Sequence, residues 1–342
     1  MYDLIVIGGG PIGSFLAKKF SENKNKVLLI EKNLKGTTLK CSGHISKELS
    51  NFTPIKKEFI ENKIRGAIFH NKNKKYLVDR KKEVSYVINR QNFDKFLFKK
   101  AKKAGVDIKK ETFVNFEEKK DRIIIKTNKN TYESKLLAGC DGPLSLVRKK
   151  AKIKDPKKFL LGIFTKVDKP SSNSFVEIFL DESPDFFAWK IPRGKSIEYG
   201  IASKNKEKIH EYLLNFSKKE NFEIKELYGG LIPLIPPKKI ISNRVFLCGD
   251  AAAQVKPFSG GGIIYGLTSA NIASETINPN KPQSLEKYQK EVNKFLKKDI
   301  WIGNQIRKIY SLPPSLRTIF LKILEKLPSK VQMDKPSSLF KR

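Results

Sequence analysis

Three glycines and a carboxylate, in a fixed order near the N-terminus, set out the first chemistry this chain can perform. Gly8, Gly10 and Gly13 follow the apolar run Tyr2 to Ile7 and precede a helical pattern, and a second apolar run, Lys26 to Ile30, ends in Glu31. The first glycine permits a tight turn, the second lets backbone approach a pyrophosphate, and the third lets the following helix pack closely. The helix start then offers amides and a positive dipole end to the phosphates. Glu31 is placed to accept ribose hydroxyls, and its charge disfavours the 2′-phosphate of NADP. A G-x-G-x-x-G alone is a weak signal, since a plain glycine turn in an α/β core has the same spelling. The strand before it, the helix after it and the acid beyond make this one a dinucleotide site.

Two later strands separate FAD from NAD. Leu136 to Asp141 ends in Ala138-Gly139-Cys140-Asp141-Gly142, followed by Ser145 and Arg148; Arg244 to Asp250 ends in Cys248-Gly249-Asp250. The second continues through three alanines to Pro257 and Ser259-Gly260-Gly261-Gly262-Ile263, then a helix-like stretch from Ile264 to Ile277. Glycines there allow backbone to lie against a flat ring, and a helix start brings amides to the ring's anionic edge. These segments resemble the FAD-dependent proteins of the para-hydroxybenzoate hydroxylase fold. The resemblance implies that Asp250 holds the ribityl or pyrophosphate region and that Gly262 and Ile263 face the isoalloxazine. It gives Asp141 an architectural or NADPH-related role.

Two more segments narrow the family. Lys40-Cys41-Ser42-Gly43-His44-Ile45-Ser46 follows the Glu31 strand, and Pro184-Asp185-Phe186-Phe187-Ala188-Trp189-Lys190-Ile191-Pro192 lies mid-chain, with Tyr199-Gly200-Ile201-Ala202 after it. Both resemble the geranylgeranyl reductase family, which carries a Cys-Gly or Cys-Ala segment near the flavin and a Pro-x-x-Tyr-x-Trp-x-Phe-Pro pattern in its substrate domain. Pro184, Trp189 and Pro192 match that pattern; Phe187 stands for Tyr and Ile191 for Phe. The hydroxyl is lost while aromatic and apolar character survives, which suits a lipid chain.

The resemblance implies an FAD-dependent reductase that saturates geranylgeranyl double bonds of lipid precursors. It places Cys41, Ser42 and His44 by the flavin and Phe187 and Trp189 at the substrate; Cys41 and His44 are the candidate proton donors, and since the family commonly has Gly at the position of His44, a role for His44 is peculiar to this chain. Arg90, in Asn89-Arg90-Gln91-Asn92-Phe93-Asp94, resembles an arginine that reaches the cofactor; its permanent charge and fork suit a pyrophosphate. The alternative for Arg90 is a helix-start side chain paired with Asp94. Val114, taken as near the end of a short strand starting around Val106, is assigned to the adenine through backbone contacts. The electron donor is external, ferredoxin or NADPH. The same fold also serves aromatic and quinone monooxygenases, and a non-catalytic basic flavin-fold protein is the reading from another class.

Composition agrees with a metabolic enzyme of unusual charge. The 342 residues hold Lys+Arg 69 against Asp+Glu 35, a net charge of +34. Lysines are scattered along the chain, which favours a compositional bias over a lipid-headgroup surface and, still more, over nucleic-acid binding, so no nucleic acid is expected. Cys41, Cys140 and Cys248 are far apart and only three histidines occur, a set that makes neither a zinc site nor a disulfide framework. With no leader and no apolar run near the roughly 18 residues of a bilayer span, the chain reads as cytoplasmic, with at most peripheral contact with anionic membrane. That contact has a candidate: Leu316, Ile319, Phe320, Ile323, Leu324 and Leu327 recur at helical spacing among basic residues. A seat in a headgroup layer and packing on the substrate domain are the two roles of such a helix, the second being the commoner.

The elements that must position these residues form a Rossmann-like α/β FAD-binding domain, discontinuous over 1–60, 88–150 and 240–280, and an antiparallel β-sheet substrate domain over 61–87 and 151–239. Leu231 to Pro237 reads as the return linker, and residues 281–342 as C-terminal helices walling the substrate cavity.

Overall fold

A computed structural model describes residues 1–33, 41–327 and 334–340; Lys40 lies outside the described residues. The core is an eight-stranded sheet ordered Ile241–Ser242, Val245–Leu247, Thr131–Gly139, Tyr2–Ile7, Val27–Ile30, Asp107–Lys109, with the hairpin Phe113–Glu118 and Ile123–Thr127 joined to the Thr131–Gly139 strand. From Val245–Leu247 to Asp107–Lys109 every join is parallel. Parallel strands are covered on both faces and therefore read as unbroken apolar runs, as Leu4, Ile5, Val6 and Leu28 to Ile30 show by being buried. Helix Pro11–Glu22 packs on this sheet beside helices Arg90–Lys103 and Ile263–Thr276. Its start combines Gly10 with Pro11 in the first turn, where a missing N–H costs nothing.

A seven-stranded sheet stands opposite, ordered Tyr228–Pro233, Phe159–Val167, Ile197–Ser203, Ala188–Pro192, Phe175–Phe179, Gly66–Asn71, Lys74–Asp79. It is antiparallel except where Phe175–Phe179 runs parallel to Gly66–Asn71. Those two strands come from separate passages of the chain, so no hairpin dictates their direction. Residues 231–233, expected in a linker, complete the edge strand paired with Phe159–Val167. A small sheet of His44–Ser46, Ser85–Ile88 and Ile60–Ile64 joins the two halves.

Helix Ser284–Lys308 lies on the core of the eight-stranded sheet through Leu285, Tyr288 and Val292, and helix Pro314–Lys326 packs on the outer strand of the seven-stranded sheet. There Asn71 Nδ2 donates to the Pro314 carbonyl at 2.9 Å, and Glu325 accepts the Leu77 amide at 2.8 Å, which closes an edge strand that would otherwise present a free donor. The commoner role for the last helix is thus the one observed. Its outer face leaves Leu316, Ile319 and Ile323 exposed. Among the described residues no helix is long and apolar enough to cross a membrane.

Candidate active site

A cavity of ≈ 670 Å³ separates the two large sheets, within the usual range of about 300–1,000 Å³ for cofactor and ligand sites. Gly8, Gly10, Glu31, Cys41, Ser42, His44, Arg90, Asp250, Gly262 and Ile263 line one side, and Phe187 and Trp189 the other. Residues as far apart in the chain as Gly8 and Ile263 therefore face one space.

The glycine turn fits a dinucleotide by construction. Gly8 has φ +104°, a conformation costly for a residue with a Cβ, and a Cβ on Gly13 would lie 1.9 Å from the Gly8 carbonyl oxygen. Gly13 itself does not line the cavity; it brings the helix close. A Cβ on Gly10 would meet nothing within 4 Å, so the backbone here opens on free space. Glu31 Oε2 accepts the Gly9 amide at 2.6 Å and Oε1 the Asn33 amide at 2.8 Å. The carboxylate is fixed at the cavity edge with lone pairs left for hydroxyl donors.

At the second carboxylate, the chain turns through the short 3-10 segment Gly249–Ala252, and Gly262 opens helix Ile263–Thr276 without a side-chain cap. Its first amides are left for an anionic ligand edge. Burial raises the Asp250 carboxyl to about 6, against the pull of the Arg90 guanidinium. Arg90 forms a two-pronged pair with Asp94, Nε to Oδ1 at 3.1 Å and Nη2 to Oδ2 at 3.0 Å, and still lines the cavity. Burial works against its charge, but Asp94 and Cys41 hold its pKa above the ordinary value. Both readings of Arg90 thus describe one side chain: a paired cation whose remaining face meets the cavity. Asp141 accepts from the Ser145 hydroxyl at 2.5 Å and the Val147 amide at 3.1 Å, capping the next turn, while the Arg148 fork reaches the Ala251 and Pro143 carbonyls.

Cys41 and His44 lie on one segment at the boundary between the two halves. The Cys41 thiol accepts the Gly43 amide at 3.4 Å. His44 pairs in the small sheet, and its Nε2 is 2.8 Å from the Ser85 hydroxyl. Burial, with Lys256 and Arg193 nearby, pushes the imidazole down to about 4. His44 is therefore neutral near pH 7 and offers a hydrogen bond there, not an imidazolium proton.

Val114 stands apart. Its strand is Phe113–Glu118, a new element after a break at 110–112, because Glu111 turns inward to accept Thr127, Asn130 and Tyr132. Val114 is 47% exposed, and Glu111, Thr112 and Phe113 form the wall at this point. The short strand before the break is Asp107–Lys109.

The opposite wall is apolar. Phe69, Phe164, Ile178, Trp189, Ile191 and Ile232 project from the seven-stranded sheet, which contributes no charged side chain to the lining. Trp189 lies flat over Gly200, and Phe187 packs edge-on to both Trp189 and Tyr310. Tyr310 is the contribution of the C-terminal region to the lining. Four further residues escaped sequence reasoning. Lys256 lines the cavity and pairs with buried Asp334 at 2.7 Å, and buried Arg193 pairs with buried Glu198 at 2.9 Å. Arg193 follows Pro192 directly, its one sequence signal; Lys256 is one among 69 basic residues. Among the described residues no group of three or more His, Cys, Asp or Glu is placed to hold a metal.

The FAD binding domain family matches residues 1–223. Digeranylgeranylglycerophospholipid reductase of Methanocaldococcus jannaschii is 30% identical over 320 residues, 85% of this chain and 82% of that protein. The chain belongs to the geranylgeranyl reductase family. It is an FAD-dependent oxidoreductase, as the matched domain and the glycine cradle agree. The digeranylgeranylglycerophospholipid reductase of Methanococcus vannielii is 29% identical over 96% of both chains. A geranylgeranyl bacteriochlorophyll reductase-like protein of Thermoplasma acidophilum shares the fold of this family member, with TM-score 0.86 at 22% identity over 99% of this chain and 94% of that one.

Proposed function

We propose that this geranylgeranyl reductase family member hydrogenates the isoprenoid double bonds of a lipid precursor, a geranylgeranyl chain in the first instance. The observation that carries the reading is the split character of one cavity. Glycine turns, helix starts and carboxylates, Glu31 and Asp250 among them, line one side, and the sheet facing them presents only apolar and aromatic side chains. A hydrocarbon recovers free energy against that sheet in proportion to the area it buries, while a charged headgroup finds no partner on it.

FAD, when bound and reduced, supplies a hydride to one alkene carbon. The protein's own part is to hold the chain flat. Trp189, Phe187 and Tyr310 give large rigid faces at little entropic cost. A hydrocarbon lying on these faces displaces water from them, so the reducing equivalent meets alkene and not solvent. The second carbon takes a proton, for which Cys41 is the better placed of the two candidates. Both line the cavity, but His44 is tied to the Ser85 hydroxyl at 2.8 Å and held neutral. Electrons enter from an external donor, ferredoxin or NADPH. The exposed face of Leu316, Ile319 and Ile323, with Lys322 and Lys326 beside them, supports a peripheral seat on an anionic bilayer, from which a lipid substrate would enter.

The test uses FAD-loaded protein reduced chemically without oxygen and mixed with geranylgeranyl diphosphate or a digeranylgeranyl glycerophospholipid. A product mass gain of about 2 units per double bond, with flavin reoxidising in step, is expected. Unchanged lipid beside flavin that reoxidises only on admission of air would reject the reading in favour of oxygen chemistry.

A further inference from the structure

A buried run of hydrogen bonds connects the hydrocarbon-facing sheet with the segment that carries Cys41 and His44. The Trp189 indole N–H donates to Glu198 Oε1 at 2.9 Å. The other carboxylate oxygen accepts Arg193 Nη1 at 2.9 Å, and the same nitrogen donates to the Ser42 carbonyl. Arg193 Nη2 donates to the Ile88 carbonyl at 3.1 Å and meets Glu61 Oε2 at 2.5 Å. Glu61 in turn accepts the Asn89 side-chain amide at 3.1 Å. Arg193 is 4% exposed and Glu198 0%.

The placement of these groups is informative. Arg193 and Glu198 do not line the cavity, yet each touches something that does. Glu198 holds Trp189, and Arg193 holds Ser42, between Cys41 and His44 in sequence. Ile88 ends a strand two residues before Arg90, which opens the next helix, so the same guanidinium also fixes the approach to the cavity's paired cation. A buried ion pair is a poor source of stability, since desolvation offsets most of the attraction, and its use is in fixing one geometry. The planar fork of arginine reaches several acceptors at set angles, which a lysine ammonium does not reproduce.

We propose that Arg193 is a positioning residue: with Glu198 it couples the setting of Trp189 on the substrate side to the Cys41–His44 segment and Arg90 on the flavin side. An alkene chain that shifts Trp189 then moves the groups beside the flavin. The proposal rests on the function given above, and it names residues for which the dinucleotide and aromatic patterns assign no part.

Two variants test it in FAD-loaded protein. Arg193→Lys keeps a charge opposite Glu198 but does not span the Ser42 and Ile88 carbonyls. Trp189→Phe keeps an aromatic face, on a smaller ring, and loses the N–H donated to Glu198 while leaving the Arg193–Glu198 pair in place, so its folding is the less demanding case. Geranylgeraniol added to oxidised wild-type holoenzyme should change the visible flavin spectrum. In both variants FAD should stay bound, the amplitude of that change should fall, and kcat for alkene reduction should drop about tenfold or more while KM changes less than kcat, as expected for a misplaced group. A wild-type spectral response and wild-type kcat in Trp189→Phe would overturn the link, as would losses that track FAD release alone. Alkene reduction by the wild type separates the two levels. If it proceeds and the variants match it, the link alone fails. If wild-type protein holds FAD but neither responds to nor reduces the alkene, the functional reading fails and the link with it.

Discussion

Replacing Gly200 with alanine tests whether the floor of the hydrocarbon compartment is set by one tryptophan lying against bare backbone. A Cβ at this position would lie 2.4 Å from Trp189 Cζ2, 2.5 Å from Cε2 and 2.6 Å from Phe164 Cβ. Ordinary carbon contacts begin near 3.5 Å, so the ring has to tilt or the strands have to part, at a cost of about 1–3 kcal/mol for overpacking. If the ring tilts, its N–H leaves Glu198, and a buried carboxylate short of a donor adds roughly 1–3 kcal/mol. Gly200→Ala should therefore lose about 2–6 kcal/mol in urea unfolding. FAD stoichiometry should be retained, because the glycine turn lies on the other sheet, and KM for a geranylgeranyl substrate should rise. In a Trp189→Phe background the smaller ring removes most of the clash, so alanine should cost less there, with a coupling of about 1–3 kcal/mol. A Gly200→Ala protein as stable as wild type, or a cost equal in both backgrounds, would refute the reasoning.

Glu31→Ala removes the acceptor for two backbone amides and for the ribose; FAD affinity, read by quenching of flavin fluorescence, should fall about 10- to 100-fold. In FAD-free protein two groups oppose each other below neutrality. His44, lowered to about 4, withdraws roughly 3 kcal/mol of stability as pH falls from 6.5, because the unfolded imidazole protonates first. Asp250, raised to about 6, returns a similar roughly 3 kcal/mol over the range down to 3.8, because the folded carboxyl protonates first. Compared with wild type, stability from urea titrations should thus fall less on acidification in His44→Gln and fall more steeply in Asp250→Asn; curves parallel to wild type for both would contradict these shifts. Lys256→Met strands buried Asp334 and should cost on the order of 3–5 kcal/mol, most of it regained in Lys256→Met with Asp334→Leu, as chemical denaturation would show. Serine at Leu316, Ile319 and Ile323 together should weaken sedimentation with anionic vesicles without changing FAD content; undiminished vesicle binding would remove that face from consideration.

The dinucleotide half of the site was legible because its determinants are local. Gly8, Gly10 and Gly13 act within one turn, and Glu31 ends the neighbouring strand, so spacing alone carries the geometry. The aromatic segment was legible for a similar reason: Trp189 lies in strand Ala188–Pro192 and Phe187 just before it, and both line the cavity. Val114 was misplaced because nothing local marks the inward turn of Glu111, whose partners Thr127, Asn130 and Tyr132 come from a later hairpin and its turn.

The sequence by itself determined the parallel core, the glycine turn with its acid, the flavin-type carboxylate segments and the apolar character of the facing sheet. Each is a pattern of period or spacing within a few tens of residues. Tertiary structure alone decided which charges matter. Arg193 with Glu198, and Lys256 with Asp334, are ordinary members of a chain carrying 69 basic residues until folding removes them from water. Desolvation then makes a partner obligatory, and that demand appears in the burial of the folded chain rather than in the order of its residues.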